Sequence, residues 1–279
     1  MEPRTQEILN ALNRRFYRRF AGAFDQSRHA PWAGWQRVVE EVAAAAPVLR
    51  TGGGLRVLDV GCGNGRFGSL LARHLGAPRL TYLGIDASAE LLAAARHRLE
   101  GAADAPWAAL RLEEHDVLTG DTLEALGEGQ TWDLIAVFGL LHHVPGRGQR
   151  RELLRTLAGR LAPGGVLAVA LWRFGEDPRF ARRRLPWEVY NRSVPAAERV
   201  DRSTLEDGDW LLRWGASPDG DDDDPALPAV EGAYRYCHAV DLEEEAELVA
   251  ALEPLAPLSA RFDADGRTGK LNRYLLFRG

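Results

Sequence analysis

The stretch LRVLDVGCGNGRFGSLLARHLG, residues 55–76, decides the fold. Its opening LRVLDVG is apolar at most positions on both faces, as a parallel strand buried between two helix layers must be. Glycines stand at 61, 63 and 65, and Phe67, Leu70, Leu71 and Leu75 then recur at helical spacing. A strand, a glycine turn and a helix in that order bring the backbone close to a ligand at a helix N-terminus. A dinucleotide fold spaces its glycines G-x-G-x-x-G to admit a pyrophosphate. Here the spacing is G-x-G-x-G, followed by Arg66.

Outward from this unit, strands and helices alternate. LTYLGID (80–86) is the second strand, and Ser88 caps a helix whose buried stripe is Leu91, Leu92, Ala95 and Leu99. ALRLEEHD (109–116) is a more polar edge strand, a short helix covers 121–126, and WDLIAVFGLL (132–141) is the fourth strand. A helix over 148–161 ends at Pro163-Gly164-Gly165, and VLAVALW (166–172) is the fifth strand. Upstream, Ile8, Leu12, Phe16 and Phe20 define a helix over 5–24, and a second helix covers 35–48. Residues 174–233 are charged and irregular, with DGDDDD at 219–224 as a solvated loop. Asp241 and Glu244 have the spacing of a capping box, and 257–279 read as two antiparallel strands around a glycine turn.

The fold class expected is α/β, one domain with a Rossmann-like sheet and helices on both faces. Its parts are an N-terminal helical cap (1–50), a cofactor-binding half (55–175), an irregular lid or insertion (176–233) and a C-terminal helix and strand pair (234–279). The formal net charge of −5 argues against a protein that grips nucleic acid with its whole surface. Arginines 147, 150 and 151 either meet phosphate or solvate a helix face. Cys62 and Cys237 make neither a disulfide framework nor a zinc site, so no metal is expected and a reducing cytoplasm fits. No apolar run is long enough for a membrane span, and the first residues lack the apolar core of a secretory signal.

Three aspartates end three successive strands: Asp59, Asp86 and Asp116. Open α/β sheets bind ligands at that edge. A carboxylate at 86 can accept ribose hydroxyls, one at 116 an adenine amino group, and one at 59 an ammonium. S-adenosylmethionine carries all three groups and no phosphate. Here the sequence resembles the class I S-adenosylmethionine-dependent methyltransferases, through VLDVGCGNGRF (57–67), GIDAS (84–88), HD (115–116) and LAPGGVLAV (161–169). The resemblance implies a seven-stranded sheet with one antiparallel strand. It also implies a cofactor site of Asp59, Gly61, Cys62, Gly63, Asn64, Gly65, Asp86, Ala87, Asp116, Val117 and Phe138, releasing S-adenosylhomocysteine.

The outlying segments resemble the wobble-uridine tRNA methyltransferases, which esterify a 5-carboxymethyl group. Arg28, His29, Pro31 and Trp32 match that family's stretch ahead of the sheet, His142 and His143 its double histidine, and Tyr236 and His238 its late element, where Cys237 replaces an aromatic residue. This implies a tRNA acceptor and, as in the eukaryotic enzymes, a small zinc-binding activator subunit. A carboxylate is already ionised at neutral pH and needs no general base. It needs a clamp, which Arg28 suits; His142 or His143, with His142 favoured, steers the acceptor or binds its base, and Trp32 or another aromatic such as Trp172 stacks on its ring. FGLL precedes the histidines in place of the Asn-Pro-Pro-aromatic tetrad of many amino-group methyltransferases. The alternative is a small-molecule O- or N-methyltransferase, which the acidic net charge favours; a cofactor-binding protein without transferase activity is a remoter one.

Overall fold

A computed structural model describes residues 1–28, 30–45, 53–75, 80–101, 107–119, 129–214 and 233–279. His29, the helix expected over 121–126 and the acidic loop at 219–224 lie outside the described residues. The main sheet has seven strands: β1 (Leu55–Val60), β2 (Leu80–Asp86), β3 (Trp107–Glu114), β4 (Trp132–Phe138), β5 (Leu161–Trp172), β9 (Leu258–Ala264) and β10 (Asn272–Arg278). Their order is β3-β2-β1-β4-β5-β10-β9. The first five are mutually parallel, and β10 runs antiparallel to both its neighbours.

The pleat of β1 shows how the layers form. Leu55 and Val57 face one side, with α2 (Ala33–Ala45) and α3 (Arg66–His74), in a core that includes Val38, Val42, Leu70 and Leu71. Leu58 and Val60 face the other, with α5 (Arg147–Ala158) and α8 (Leu242–Leu252), in a core that includes Leu153, Leu157, Leu248 and Leu252. Alternation of side chains makes this division, and each fully buried Leu or Val contributes roughly 1.5–3 kcal/mol of hydrophobic stabilisation. Asp59 lies on the first side, the one exception to the apolar run there. Among the described residues, no helix is long and apolar enough to cross a membrane.

The insertion after β5 holds ordered structure that its charged composition conceals. Beyond the short α6 (Pro178–Ala181), β6 (Arg184–Leu185) and β7 (Asp209–Arg213) flank α7 (Trp187–Ser193). With β8 (Tyr234–His238) the two strands form an antiparallel sheet of order β6-β7-β8. Helix α1 (Pro3–Ser27) packs Leu9 and Leu12 against Leu185, Trp187, Tyr190, Leu211 and Tyr236. The Asn13 amide completes this contact as a strand would, donating to Tyr236 O (3.2 Å) and accepting from Tyr236 N (2.9 Å). Helix α1 and the small sheet therefore form one roof over the carboxyl ends of β1, β2 and β4.

A buried ionic network bolts the roof to the main domain. Arg150, fully buried, donates to Glu244 (2.6 Å), Glu206 (2.6 Å) and the Val144 carbonyl (2.9 Å). His238 bridges Glu244 (2.8 Å) and Asp209 (2.7 Å), and Tyr236 donates to Asp209 (2.7 Å). Arg150 is thus neither a phosphate contact nor a solvated face. The capping box forms by half: Asp241 accepts from Glu244 N, while the Glu244 carboxylate goes to Arg150 and His238. Tyr236 and His238, matched above to an acceptor element, belong to this network, because the strand's two-residue period turns them toward Asp209.

Candidate active site

The glycine turn leaves β1 through three left-handed residues, Gly61, Gly63 and Gly65 (φ 73°, 53° and 74°), a conformation that disfavours any side chain. At Gly65 there is a second reason: a Cβ would stand 3.1 Å from Cα and Cβ of Ala95, on the helix α4 (Ala89–Glu100) that follows β2. The turn opens into a cavity of about 640 Å³ beneath the roof.

The cavity is lined by groups of both charges. Among its carboxylates are Asp59, Asp86 and Asp116. Asp59 is 2% exposed and accepts a 2.5 Å hydrogen bond from Tyr82. Burial pushes its pKa up to about 7, against the lowering effect of that bond. Asp86 accepts from Gly63 N and Ser88 N (both 2.9 Å), and burial raises its pKa too. Asp116 accepts from Leu118 N (3.0 Å) and from Arg14 of α1 (2.6 Å), so the roof reaches the third carboxylate directly.

Gly61, Cys62, Gly63, Asn64, Ala87, Val117 and Phe138 also line the cavity. Gly65 does not; it serves the helix packing just described. Asn64 is tied to α1, donating to Asp25 (2.7 Å) and to the Arg28 carbonyl (3.2 Å). Cys62 is a buried thiol whose pKa burial pushes well up. Three carboxylates beside the glycine turn suit a cationic, phosphate-free nucleoside.

The lining is also cationic and aromatic. Arg28, Trp32 and His142 all line the cavity. Trp32 sits against Trp35 (ring centroids 5.0 Å apart) at the end of β4. Arg28 lies over the Phe24 ring (5.1 Å). Arg235, on β8, lies over Phe16 (5.5 Å) and Trp172 (5.6 Å) and donates to the Tyr17 hydroxyl (3.3 Å). Burial holds the His142 pKa well below the usual histidine value, and His143, Arg235 and Arg28 push the same way, so the ring is neutral at neutral pH.

The two histidines have different duties. His143 Nδ1 lies 2.9 Å from the Tyr236 carbonyl, which can only accept, so Nδ1 carries the proton. Nε2 then accepts from Tyr17 (2.8 Å), and the Tyr17 oxygen turns its lone pairs to Arg235. Burial, with Arg235, lowers the His143 pKa to about 3. His142 makes no hydrogen bond among the described residues, and its buried Nδ1 has no partner. Its ring meets Trp172 edge-on at 4.9 Å.

Sequence reasoning missed Arg235 and Tyr17. YRYCHAV (234–240) draws the eye to Tyr236 and His238, but Arg235 and Cys237 occupy the opposite face of the same strand. The signal was that alternation, unreadable until β8 had a partner strand.

A methyltransferase-domain family model matches residues 58–167, the stretch from β1 into β5. Residues 58–167 are thus a methyltransferase domain, and the sheet order is that of the class I S-adenosylmethionine-dependent methyltransferase fold. The domain's cofactor is S-adenosylmethionine. The match ends before the insertion and β8, so it covers Asp59, Asp86 and Asp116 and neither Arg28 nor Arg235. The chain is 31% identical over 188 residues to the trans-aconitate 2-methyltransferase of Variovorax paradoxus, covering 59% of this chain and 64% of that protein. It is 26% identical over 157 residues to the tRNA (carboxymethyluridine(34)-5-O)-methyltransferase of Saccharomyces cerevisiae, covering 56% and 46%. It therefore spans less than two thirds of the length of these curated relatives. The CcbJ methyltransferase of Streptomyces caelestis has the same fold, with a TM-score of 0.57 at 16% identity over 95% of this chain and 97% of that one.

Proposed function

We propose that this methyltransferase domain esterifies a carboxylate of a small organic acid. The observation that carries the reading is that Arg28, Arg235 and His142 line the same cavity as Asp59, Asp86 and Asp116. Two planar guanidiniums match carboxylate geometry. The relatives support an oxygen acceptor: trans-aconitate 2-methyltransferases from two organisms and several ubiquinone biosynthesis O-methyltransferases.

Asp59 serves the cofactor's ammonium, Asp86 its ribose, and Asp116 the adenine, beside Arg14. Bound S-adenosylmethionine supplies a sulfonium methyl: a C–S bond breaks, an O–C bond forms to the carboxylate, the electron pair stays on sulfur, and no proton is released. A depressed His142 would be a poor base for a hydroxyl acceptor. That is no handicap with a carboxylate, which His142 borders as a neutral, uncharged wall.

A tRNA carboxymethyl-uridine acceptor, with an activator subunit, is the second reading. It is favoured by the yeast relative and by the placement of Arg28, Trp32 and His142 in one cavity. Labelled cofactor, incubated with a pool of organic acids and separately with total tRNA, decides between them. Base-labile label in the acids supports the first reading, and label in tRNA alone replaces it with the second. Arg28→Ala should lower kcat/KM for the acceptor about 100-fold, as loss of a charge-assisted hydrogen bond implies, while S-adenosylhomocysteine affinity holds. Equal loss of both would remove Arg28 from the acceptor.

A further inference from the structure

The inference rests on the carboxylate reading above and concerns what else the acceptor must be. Each guanidinium of the clamp is laid on an aromatic ring, Arg28 over Phe24 and Arg235 over Trp172. Trp172 is the hub of the acceptor side. Its ring lies 4.9 Å from His142 and 4.9 Å from Phe180 by centroid, and Phe24, Trp172 and Phe180 all line the cavity. Trp214, packed on Phe16 and Phe20, lines the cavity too, and its indole N–H has no hydrogen-bond partner. Flat rings leave flat walls. Arg179 and Arg183 lie over the Phe180 ring, so the ring surface left to a ligand is chiefly the half-buried Trp172 with the edge of Phe180; an acyclic acid would satisfy the arginines and leave that surface uncovered, whereas a planar ring would pair with it edge-on or offset.

We propose that the acceptor is a planar aromatic carboxylic acid, its carboxylate between Arg28 and Arg235 and its ring against Trp172 and Phe180. Trp172 and Phe180 then set specificity, while the arginines take the charge. The neutral His142 ring, edge-on to Trp172, continues the wall toward the cofactor crevice.

The test compares three classes of acid at equal concentration: benzoate-type acids, cyclohexanecarboxylates of nearly the same volume and charge, and acyclic tricarboxylates. Two readouts are taken. One is base-labile methyl ester formed with labelled cofactor. The other is binding of each acid to the protein held with S-adenosylhomocysteine, followed by tryptophan fluorescence and calorimetry. The aromatic acids should bind and turn over about tenfold better than their saturated counterparts, the advantage expected of one or two aromatic pairs. Trp172→Leu and Phe180→Leu should bring that ratio near unity with S-adenosylhomocysteine affinity intact, which also certifies that the variants fold. Trp172→Phe, the gentler change, should keep most of the preference. Ester formed equally on saturated or acyclic acids overturns the aromatic proposal and leaves the carboxylate reading standing. Ester on none of the acids overturns both.

Discussion

Replacing Arg150 by Met removes the cation at the centre of the roof's ionic network while nearly keeping its volume. Arg150 is fully buried and Glu244 is 1% exposed. The change strips Glu244 and Glu206 of their shared partner and orphans the Val144 carbonyl. Breaking a buried pair by deleting one member costs about 3–5 kcal/mol, because the remaining charge is stranded. The pH dependence adds a finer test. In the folded protein burial would raise the Glu244 pKa, but His238 and Arg150 together hold it down at about 2. Its contribution is therefore full above the ordinary carboxylate value and disappears as pH falls toward 2. His238 runs the other way: burial would lower its pKa, but Asp209 and Glu244 raise it. Its contribution is full below the ordinary histidine value and is lost as pH rises through the raised one. Without Arg150 the Glu244 pKa moves back up, so the variant has less left to lose in acid. Urea unfolding should therefore show a gap from wild type of about 3–5 kcal/mol at pH 7 that narrows between pH 5 and pH 3. Arg150→Lys should recover only part, since an ammonium cannot bridge both carboxylates and the carbonyl in one plane. A gap under about 1 kcal/mol at pH 7, the size typical of an exposed pair, would refute the argument, as would one that widens in acid.

Two further predictions concern the cofactor side. Asp59→Asn should weaken S-adenosylhomocysteine binding about tenfold or more, as loss of a hydrogen bond to a charged group implies, and calorimetry should show wild-type affinity rising with pH through about 7 as the Asp59 carboxyl ionises. The stability sign is opposite: with a raised folded pKa, wild type loses stability as pH rises from about 4 to 7, so urea curves should show Asp59→Asn gaining on it across that window. Gly65→Ala should cost roughly 1–2 kcal/mol for its left-handed backbone alone, plus the strain of a Cβ 3.1 Å from the Ala95 backbone. Gly63→Ala meets no atom within 4 Å, so by thermal melts it should be the milder of the two and by calorimetry the more damaging to cofactor binding.

The main sheet was legible because its signals are local. In β1 and β4 a run of apolar residues ending in a turn is enough to declare a buried parallel strand, and the C-terminal pair declares itself through its glycine turn. Asp59, Asp86 and Asp116 followed, because each stands within two residues of a strand's carboxyl end, where the sheet edge fixes its place. What escaped depends on partners distant in the chain. The strand β6 has two residues, and β7 and β8 five each, all carrying arginine. Only pairing between β7 and β8 decides that Arg235 faces the cavity and His238 the network. Glu244 obeyed a local capping rule in its backbone and broke it in its side chain, since a buried Arg150, distant by 94 positions, outcompeted the N-cap N–H. Arg150 itself sits among arginines of a polar helix, and nothing local separates it from exposed neighbours such as Arg151.

The presence of both carboxylates and guanidiniums in one cavity suits the proposed reaction. A cationic donor and an anionic acceptor both become neutral when a methyl passes between them, so charge disappears on the way to the transition state. Water and a strong counter-charge both favour the charged ground state; a clamp of that kind improves capture more than the chemical step. The cavity answers with guanidiniums laid on rings, walls of Trp172, Phe180 and Phe24 that exclude water, and a histidine kept neutral by burial and by the same arginines. On the donor side, burial raises the Asp59 pKa to about 7, so an arriving ammonium would favour its ionised form. In the proposed reaction arginines gather and align an acid, and the aromatic surroundings then favour the loss of its charge, a division of labour in which the methyl transfer itself needs no proton moved.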